Sequence, residues 1–243
     1  MHSFSDLAGD AMTFMSIKFA AAPFDAEYPY GRGHFETLGT LGVSTLLIFS
    51  AGGVGMNALE SLVEIGSGAG TELAFQPVAL ATAAAGFGAK EWLFHATLNV
   101  AKQQRSSVLV ANAWHHRSDA LSSLVAIGGV GGAIVGIPGA DAAGGLLVSG
   151  LVGKMGMDLG WGAIRAMTDA QTNARVLDGV AATGSRLAAK GEIKGLADVR
   201  CRQLGAYCLV DCSVLIDPNL SVKEANERSN KLREAVTTAF PEV

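Results

Sequence analysis

Two pairs of metal-binding side chains recur with the same spacing in this sequence. His2 and Asp6 stand four residues apart, and so do His115 and Asp119. On a helix this spacing puts both side chains of a pair on one face, about a turn apart. Two such faces brought together offer two imidazole nitrogens and two carboxylates, a tetrahedral set that suits Zn²⁺, with other divalent transition metals as alternatives. One His-x-x-x-Asp pair arises by chance on many soluble helices, so the prediction depends on finding both pairs in apolar segments.

The segments around these pairs have the composition of membrane helices. The chain of 243 residues is 49% hydrophobic and 16% charged, with 31 glycines, and its mean hydropathy is +0.33. A bilayer core of about 30 Å needs roughly 20 apolar residues of helix, because lipid cannot satisfy an open backbone. Five stretches meet or approach that length, some uncharged and some interrupted by charged residues: Thr37–Leu59, Ala120–Ala140, Leu73–Val100, His2–Ala22 and Ala142–Ala166.

Small residues are dense in these stretches, as in Gly52–Gly55 and Gly128–Gly132. They favour close approach of helices, since lipid provides no hydrophobic drive for helix association. The stretch that ends near Val100 carries Lys90 and Glu91 side by side. Ionisable side chains are costly in lipid, so we expect this pair to face a protein interior or the membrane interface.

Two further polar residues lie close to the paired motifs. Asp10 continues the face of Asp6 and is open to three interpretations: a proton relay or pathway residue, a buried partner of Lys18, or the wall of a solvated cavity. His116 points about 100° off the face of His115, so packing or an interfacial contact is favoured for it over ligation.

After about Thr168 the chain changes to a soluble pattern. Residues 169–243 hold twenty of the forty Asp, Glu, Lys and Arg side chains in under a third of the length. A two-stranded sheet is marginal alone, so we expect a third strand or a partner to complete it. We divide the chain into a transmembrane helical domain, 1–168, and a soluble α/β domain, 169–243. The order predicted for the latter is α-β-β-α, with elements at 171–190, Gly195–Leu204 and Tyr207–Asp217 and a last helix capped by Ser221 with Glu224.

The composition excludes several classes of function. A net charge of −4 and a pI near 5.7 give no basic surface, so nucleic acid is not an expected partner. Cys201, Cys208 and Cys212 are odd in number with no CxxC pair, so neither a disulfide framework nor a complete zinc-finger set is specified. Buried packing or inert thiols are favoured over thiolate ligands, and a reducing compartment fits this half best. The first residues do not have the pattern of a cleavable signal peptide.

Four motifs, in order along the chain, resemble those of the cation diffusion facilitators, also called zinc transporters or metal tolerance proteins. The resemblance covers essentially the whole chain, and the motifs are much more specific together than any one alone. It implies a homodimer of six-helix subunits with a cytosolic, metallochaperone-like α/β domain, which exports Zn²⁺ or related ions in exchange for protons. The motifs are His2-Ser3-Phe4-Ser5-Asp6, Tyr28-Pro29-Tyr30-Gly31-Arg32-Gly33-His34-Phe35-Glu36, Trp114-His115-His116-Arg117-Ser118-Asp119-Ala120 and Val214-Leu215-Ile216-Asp217-Pro218.

By this resemblance His2, Asp6, His115 and Asp119 form the transport site, on the second and fifth family helices. The His/Asp set is similar to that of the zinc-type members, so Zn²⁺ is the expected transported ion, with Mn²⁺, Fe²⁺ or Co²⁺ as alternatives. The expected partners are this ion, protons, the lipid bilayer and a second copy of the chain. The sequence does not identify the membrane; an organellar membrane is one candidate, with the C-terminal domain facing the cytosol.

The sequence departs from the family pattern in three places. The family's first helix is absent, so five spans are visible of an expected six. The final strand of the cytosolic domain is absent too, and we expect a sequence truncated at both ends. Some members bind metal through histidines in the loop after the second helix; Tyr28 and Arg32 occupy those positions here and leave only Asp25, so a loop site is not expected.

Three functions are compatible with these features, and a membrane transporter is favoured. Neutral imidazoles and ionised carboxylates bind the ion, protons from the opposite side compete it off, and helix rocking exposes the site to each side in turn. The alternative is a non-transporting accessory subunit that dimerises with a full-length relative. An intramembrane metallohydrolase is disfavoured, because a closed four-ligand site leaves no position for an activated water, so we expect no enzyme.

Overall fold

The computed structural model describes residues 2–23, 25–66, 77–135 and 139–243, and the side chains of the first helix from Leu7 onward. These residues form seven helices and two strands. Five long helices occupy the first 168 residues, and the other four elements form the C-terminal domain. In chain order the elements are α1 (His2–Ala20), α2 (His34–Gly66), α3 (Pro77–Gln104), α4 (Ser107–Val135), α5 (Ala140–Met167), α6 (Ala174–Ala189), β1 (Gly195–Leu204), β2 (Tyr207–Leu215) and α7 (Val222–Ala239).

Each of the five long helices overlaps one of the five predicted apolar stretches, but α4 begins at Ser107, well before the predicted start at Ala120, and Ala140, the predicted end of that stretch, is the first residue of α5. The predicted start of the third stretch at Leu73 lies outside the described residues, as do residues 136–138 near the end of the fourth. Among the described residues, one helix, His34–Ile65, is long and apolar enough to cross a membrane by length and mean hydropathy. The other four long helices carry charged residues in their middle turns.

Helices α2 and α5 pack closely through small residues. A Cβ atom on Gly156 would lie 3.1 Å from the carbonyl oxygen of Ser44, closer than nearly all real Cβ contacts. The hydroxyl of Ser149 donates a hydrogen bond of 2.8 Å to the carbonyl oxygen of Ala51. Small residues at a helix interface and large apolar residues on the outside are the arrangement that lipid favours. Large apolar side chains that are exposed on this bundle include Phe49, Val63, Trp92, Leu147 and Trp161.

The C-terminal domain has the predicted α-β-β-α order. Strands β1 and β2 pair antiparallel from Gly195 with Leu215 to Leu204 with Tyr207. The predicted capping box of α7 is present. Strand β2 ends at Leu215, two residues earlier than predicted, where its carbonyl oxygen accepts a hydrogen bond of 2.7 Å from the amide of Lys194. The two helices cover one face of the hairpin, and the buried core between them consists of Val176, Val180, Cys201, Cys208, Leu232 and Val236.

The turn between β1 and β2 rests on the first residues of α2. A Cβ atom on Gly33 would lie 2.4 Å from the carbonyl oxygen of Leu204. Gly205, which has a φ of 61°, leaves so little space that a Cβ atom there would lie 3.0 Å from Oε2 of Glu36. Side chains cannot fit at this contact, so the two glycines let the C-terminal domain touch the helix bundle directly.

A second contact between the halves is an ion-pair cluster at Glu242. The Glu242 side chain is 4% exposed, and its carboxylate contacts Arg105, in the turn between α3 and α4, at 2.9 Å. Arg175 at the start of α6 pairs with the other carboxylate oxygen. Burial raises the pKa of Glu242, but the hydrogen bonds that the carboxylate accepts and the charges of Arg105 and Arg175 outweigh it, so the pKa lies below its usual value. Glu242 therefore links the α3–α4 turn to the C-terminal domain as a carboxylate.

Candidate metal centre

His115 and Asp119 lie on one face of α4, as their spacing predicts. Their side chains are 2% and 3% exposed respectively. Nε2 of His115 lies 4.0 Å from Oδ2 of Asp119. Two ligands of one tetrahedral Zn²⁺ ion lie about 3.3 Å apart, so a small side-chain rotation lets both atoms reach the same ion.

Helix α1 passes close to His115. A Cβ atom on Gly9 would lie 3.5 Å from Cδ2 and 3.7 Å from Nε2 of His115, so glycine lets the backbone of α1 approach the imidazole. Two turns further along α1, Ser16 lies against Gly39, and Val108 of α4 lies against the same glycine. Since Gly9 is level with His115 and Ser16 is level with Val108, α1 and α4 run antiparallel here.

Because α1 and α4 are antiparallel, the residues of α1 that lie beside Asp119 are those that precede Gly9 in the sequence. His2, Asp6 and Gly9 follow one another at intervals of four and three residues, so they share one face of α1. Moving along α1 from Gly9 towards His2 corresponds to moving along α4 from His115 towards Asp119. The two predicted pairs therefore stand on neighbouring helices, while the side chains of His2 and Asp6 lie outside the described part of the chain. Within the described side chains, no group of three or more His, Cys, Asp or Glu could hold a metal ion.

A lysine of the neighbouring helix contacts the carboxylate of the predicted site. Nζ of Lys90, on α3, lies 3.2 Å from Oδ2 of Asp119. The adjacent Glu91 contacts Arg117 of α4 at 3.8 Å and His95 of its own helix at 3.3 Å. Lys90 and Glu91 thus both meet opposite charges on α4, which confirms the prediction that this pair faces a protein interior or the interface.

Asp10 contacts a second polar pair on α4. The amide Nδ2 of Asn112 donates a hydrogen bond of 2.9 Å to Oδ1 of Asp10. Nε2 of His116 lies 3.6 Å from the same oxygen and 3.3 Å from Nδ2 of Asn112. Asp10 thus pairs with α4 and not with Lys18, and both other interpretations, a relay or pathway residue and the wall of a solvated cavity, stay open. His116, for which packing or an interfacial contact was favoured, is buried against this carboxylate.

Asn112 is the residue of this region that the motifs do not predict. It precedes His115 by three residues and Asp119 by seven, so it extends the same face of α4 by one turn. Its side chain is 5% exposed, and its Oδ1 atom has no hydrogen-bond partner among the described residues. The spacing Asn-x-x-His-x-x-x-Asp is the signal by which the sequence could identify it.

Asp25 organises the loop after α1 through hydrogen bonds and an ion pair. Oδ1 of Asp25 accepts hydrogen bonds from the backbone amides of Glu27 at 3.1 Å and Tyr28 at 2.7 Å. Its Oδ2 atom pairs with Arg32 at 2.5 Å, and the Arg32 guanidinium lies 4.3 Å from the centre of the Tyr28 ring. The acidic candidate of the loop is thus engaged with a cation of the chain itself.

The cysteines of the C-terminal domain lie in or beside its core. Cys201 and Cys208 are buried, and Cys212 is partly buried. Burial, together with the neighbouring Cys208, raises the pKa of the Cys201 thiol to about 12. Burial also raises the pKa of Cys212. Since the thiolate is the form that binds metal, these shifts support packing as the role of the cysteines.

A helix bundle that buries an imidazole and a carboxylate next to a small α/β domain has the architecture of a membrane metal transporter. The transmembrane domain of cation efflux proteins matches residues 1–168, and the cytoplasmic domain of cation efflux proteins matches residues 183–243. The chain belongs to the cation efflux family, the cation diffusion facilitators. The predicted family is thereby confirmed, and it is a family of membrane transporters with a cytoplasmic C-terminal domain, not of enzymes.

Three relatives show how far the similarity extends. Metal tolerance protein 2 of Oryza sativa subsp. japonica is 33% identical over 263 residues, covering 100% of this chain and 67% of the relative. Metal tolerance protein C1 of Arabidopsis thaliana is 35% identical over 252 residues, covering 100% of this chain and 53% of the relative. Mitochondrial metal transporter 1 of Saccharomyces cerevisiae is 39% identical over 175 residues, covering 64% of this chain and 34% of the relative. The chain thus spans between about a third and two thirds of the length of these curated relatives.

Proposed function

We propose that this protein exports divalent metal ions, Zn²⁺ first among them, from the cytosol in exchange for protons. The transport site consists of His2, Asp6, His115 and Asp119. The observation that carries the proposal is the buried His115–Asp119 pair, which the backbone of α1 approaches at Gly9. Residues 1–168 form the membrane domain, with five spans, and residues 169–243 form the cytosolic domain.

Charge balance at Asp119 supports the exchange of cations at this site. An ionised carboxylate that is 3% exposed is costly unless a cation compensates it. Lys90 supplies that charge at 3.2 Å, and a bound Zn²⁺ ion supplies it when the site is loaded. The site thus has a compensating cation in both states, which keeps the energies of the loaded and metal-free states comparable.

Coupling to protons follows from the ligand types. Ligation requires a neutral imidazole and an ionised carboxylate, so protons and Zn²⁺ compete for the same atoms of His115 and Asp119. The side with more protons therefore releases the ion, and the side with fewer binds it. Rocking of helices exposes the site to each side in turn, with Gly9 allowing α1 to stay close to His115.

The comparisons support the ion class, a dimer and an organellar membrane. Two relatives are named as metal tolerance proteins and one as a mitochondrial metal transporter, which supports an organellar membrane as one candidate location, with Mn²⁺, Fe²⁺ and Co²⁺ as alternative ions. The matched cytoplasmic domain is a dimerisation domain. Strands β1 and β2 form a two-stranded sheet, which leaves strand edges to which a second copy can add.

The test is uptake of radioactive Zn²⁺ into proteoliposomes that contain the full protein, with and without a proton gradient. The variant is His115→Ala. The matched control is His95→Ala, which removes an exposed histidine of the same membrane half. The proposal expects gradient-dependent uptake that falls to background in His115→Ala and is retained in His95→Ala. Full-rate uptake by folded His115→Ala protein would contradict the assignment of the site.

The alternative is a non-transporting accessory subunit that dimerises with a longer relative. It predicts a folded protein that binds Zn²⁺ yet shows no uptake with any of the four ions, together with uptake once a family partner is co-reconstituted. That pattern would replace the transporter proposal.

A further inference from the structure

We propose that Asp10, Asn112 and His116 form a second divalent-cation site, one helix turn from the His115–Asp119 pair. The inference goes beyond the transport site and rests on the proposed function only in that both sites take the same class of ion. The second site would hold an ion next to the transport site and exchange it with that site.

The three side chains already have the spacing of metal ligands. The distances between Oδ1 of Asp10, Nδ2 of Asn112 and Nε2 of His116 are 2.9, 3.3 and 3.6 Å. The ligands of a tetrahedral ion with bonds of about 2.05 Å lie about 3.3 Å apart. One ion at the centre of this triangle can therefore contact all three groups with little movement of the backbone, and water completes the coordination.

Asn112 needs only a rotation of its amide to become a ligand. The amide nitrogen now points at Asp10 and His116, while the oxygen is buried without a hydrogen-bond partner among the described residues. A half-turn about the terminal bond exchanges these two atoms, which occupy nearly the same space. In the metal-free state the NH₂ group compensates Asp10; in the loaded state the carbonyl oxygen faces the ion. The unsatisfied oxygen now lies on the Gly9 side of the amide, so no hydrogen bond to a described residue holds it there against this rotation.

The cluster has one open side and lies next to the predicted transport site. The Asp10 side chain is 53% exposed, whereas that of His116 is 8% exposed, so Asp10 forms the open side of the cluster. Asn112 lies on the face of α4 that continues to His115. Gly9 connects the two sites across the helix gap, because a Cβ atom there would lie 3.7 Å from both Oδ1 of Asn112 and Nε2 of His115.

The donor set predicts a weaker site than the transport site. It contains one carboxylate, one imidazole and one neutral amide oxygen, in place of two carboxylates and two imidazoles. Such mixed N/O ligands bind Zn²⁺ and, in the Irving–Williams order, the other first-row divalent ions as well. Weaker binding at the second site favours release of the ion to the transport site.

The experiment is calorimetric titration of the purified full protein with Zn²⁺. We expect two ions per chain in the wild type, one tight and one weaker. His115→Ala should lose the tight site and keep the weaker one, and His115→Ala with Asn112→Leu should lose both. Asn57→Leu, which changes an exposed asparagine of α2 in the same way, should leave binding unaltered.

Asn112→Asp separates loss of the site from loss of the fold. It keeps the size of the side chain and adds a charged ligand, so the weaker site should bind Zn²⁺ at least about 10-fold more tightly. Unfolding would weaken binding and cannot produce this result. A single ion per wild-type chain, or a weaker site that Asn112→Leu and Asn112→Asp both leave unchanged, would overturn the proposal. Two ions bound without any transport would refute the proposed function and leave the second site standing.

Discussion

Removing the ammonium group of Lys90 should make the protein bind Zn²⁺ more tightly. In the structure this group lies 3.2 Å from the Asp119 carboxylate, so an incoming ion must displace it or share the carboxylate with it. Lys90→Met keeps the length and apolar stem of the side chain and removes the charge. The buried carboxylate then has no cation from α3, and Zn²⁺ binds without that competition.

The structure sets the size of the effect. At 3.2 Å and an effective dielectric constant of about 20, the attraction between the two charges is about 5 kcal/mol. Lys90 is 32% exposed, and the solvation that its ammonium regains offsets part of this attraction. Hydrogen bonds between charged groups contribute about 1.5–3 kcal/mol net, so the dissociation constant for Zn²⁺ should fall by about 10- to 100-fold.

The assay is competition for Zn²⁺ between the purified full protein and a fluorescent chelator. Lys90→Arg keeps the positive charge and should bind Zn²⁺ within a few-fold of the wild type. Lys102→Met makes the same substitution in the last turn of α3 and should have no effect. In transport, Lys90→Met should lower KM and, since tight binding slows release, kcat as well. An unchanged or larger dissociation constant in folded Lys90→Met protein would refute the competition between this ammonium and the ion.

Three further predictions concern other parts of the fold. A Cβ atom at Gly9 makes only ordinary van der Waals contact with His115, so Gly9→Ala should retain Zn²⁺ uptake. Gly9→Leu should lose uptake, because the longer side chain would occupy the space of the His115 imidazole. Raising the Cys201 pKa from 9.0 to about 12 lowers its thiolate fraction at pH 8 about 1000-fold, so maleimide should label Cys201 in folded protein correspondingly more slowly than in urea. Glu242 has a depressed pKa, so its ion pairs stabilise the protein above about pH 4.3 and lose that effect as pH falls through the folded-state pKa. Glu242→Gln should therefore lower the free energy of unfolding by about 1–2 kcal/mol at pH 7, and denaturation series should show the difference disappearing towards pH 3.

The elements of this fold are predictable because their signals are local. Apolar runs between charged residues mark the long helices, and Ser221 with Glu224 three residues later marks the start of α7. Alternation places Cys208 and Val210 on the buried face of β2. Each of these signals depends on neighbours within one or two turns of the same element, and no tertiary information is required.

The site is predictable only in the part that one helix contributes. The spacing of His115 and Asp119 specifies a shared face of α4, whereas the contact of Lys90 with Asp119 depends on how α3 packs against α4. The same holds for Asp10 and Asn112, which are 102 residues apart in the sequence. Periodicity along one helix carries no information about the helix that lies against it, so these partners could not be assigned without the packing.

Two contacts join the cytosolic domain to the helix bundle. Neither contact includes a predicted metal ligand, but both lie on helices or turns that lead to the predicted site. Glu242 holds Arg105 in the turn that leads into α4 at Ser107, and Asn112 and His115 follow on that helix. An α-helix transmits displacement along its length, because its hydrogen-bond ladder resists compression and bending. The second contact, of Gly33 with Leu204, lies at the start of α2, whose Gly39 packs against Ser16 of α1 and Val108 of α4. We therefore expect movement of the cytosolic domain to reach α1 and α4, the two helices that carry the predicted ligands. Weakening the Glu242 pair should loosen this link before it alters the ligands themselves.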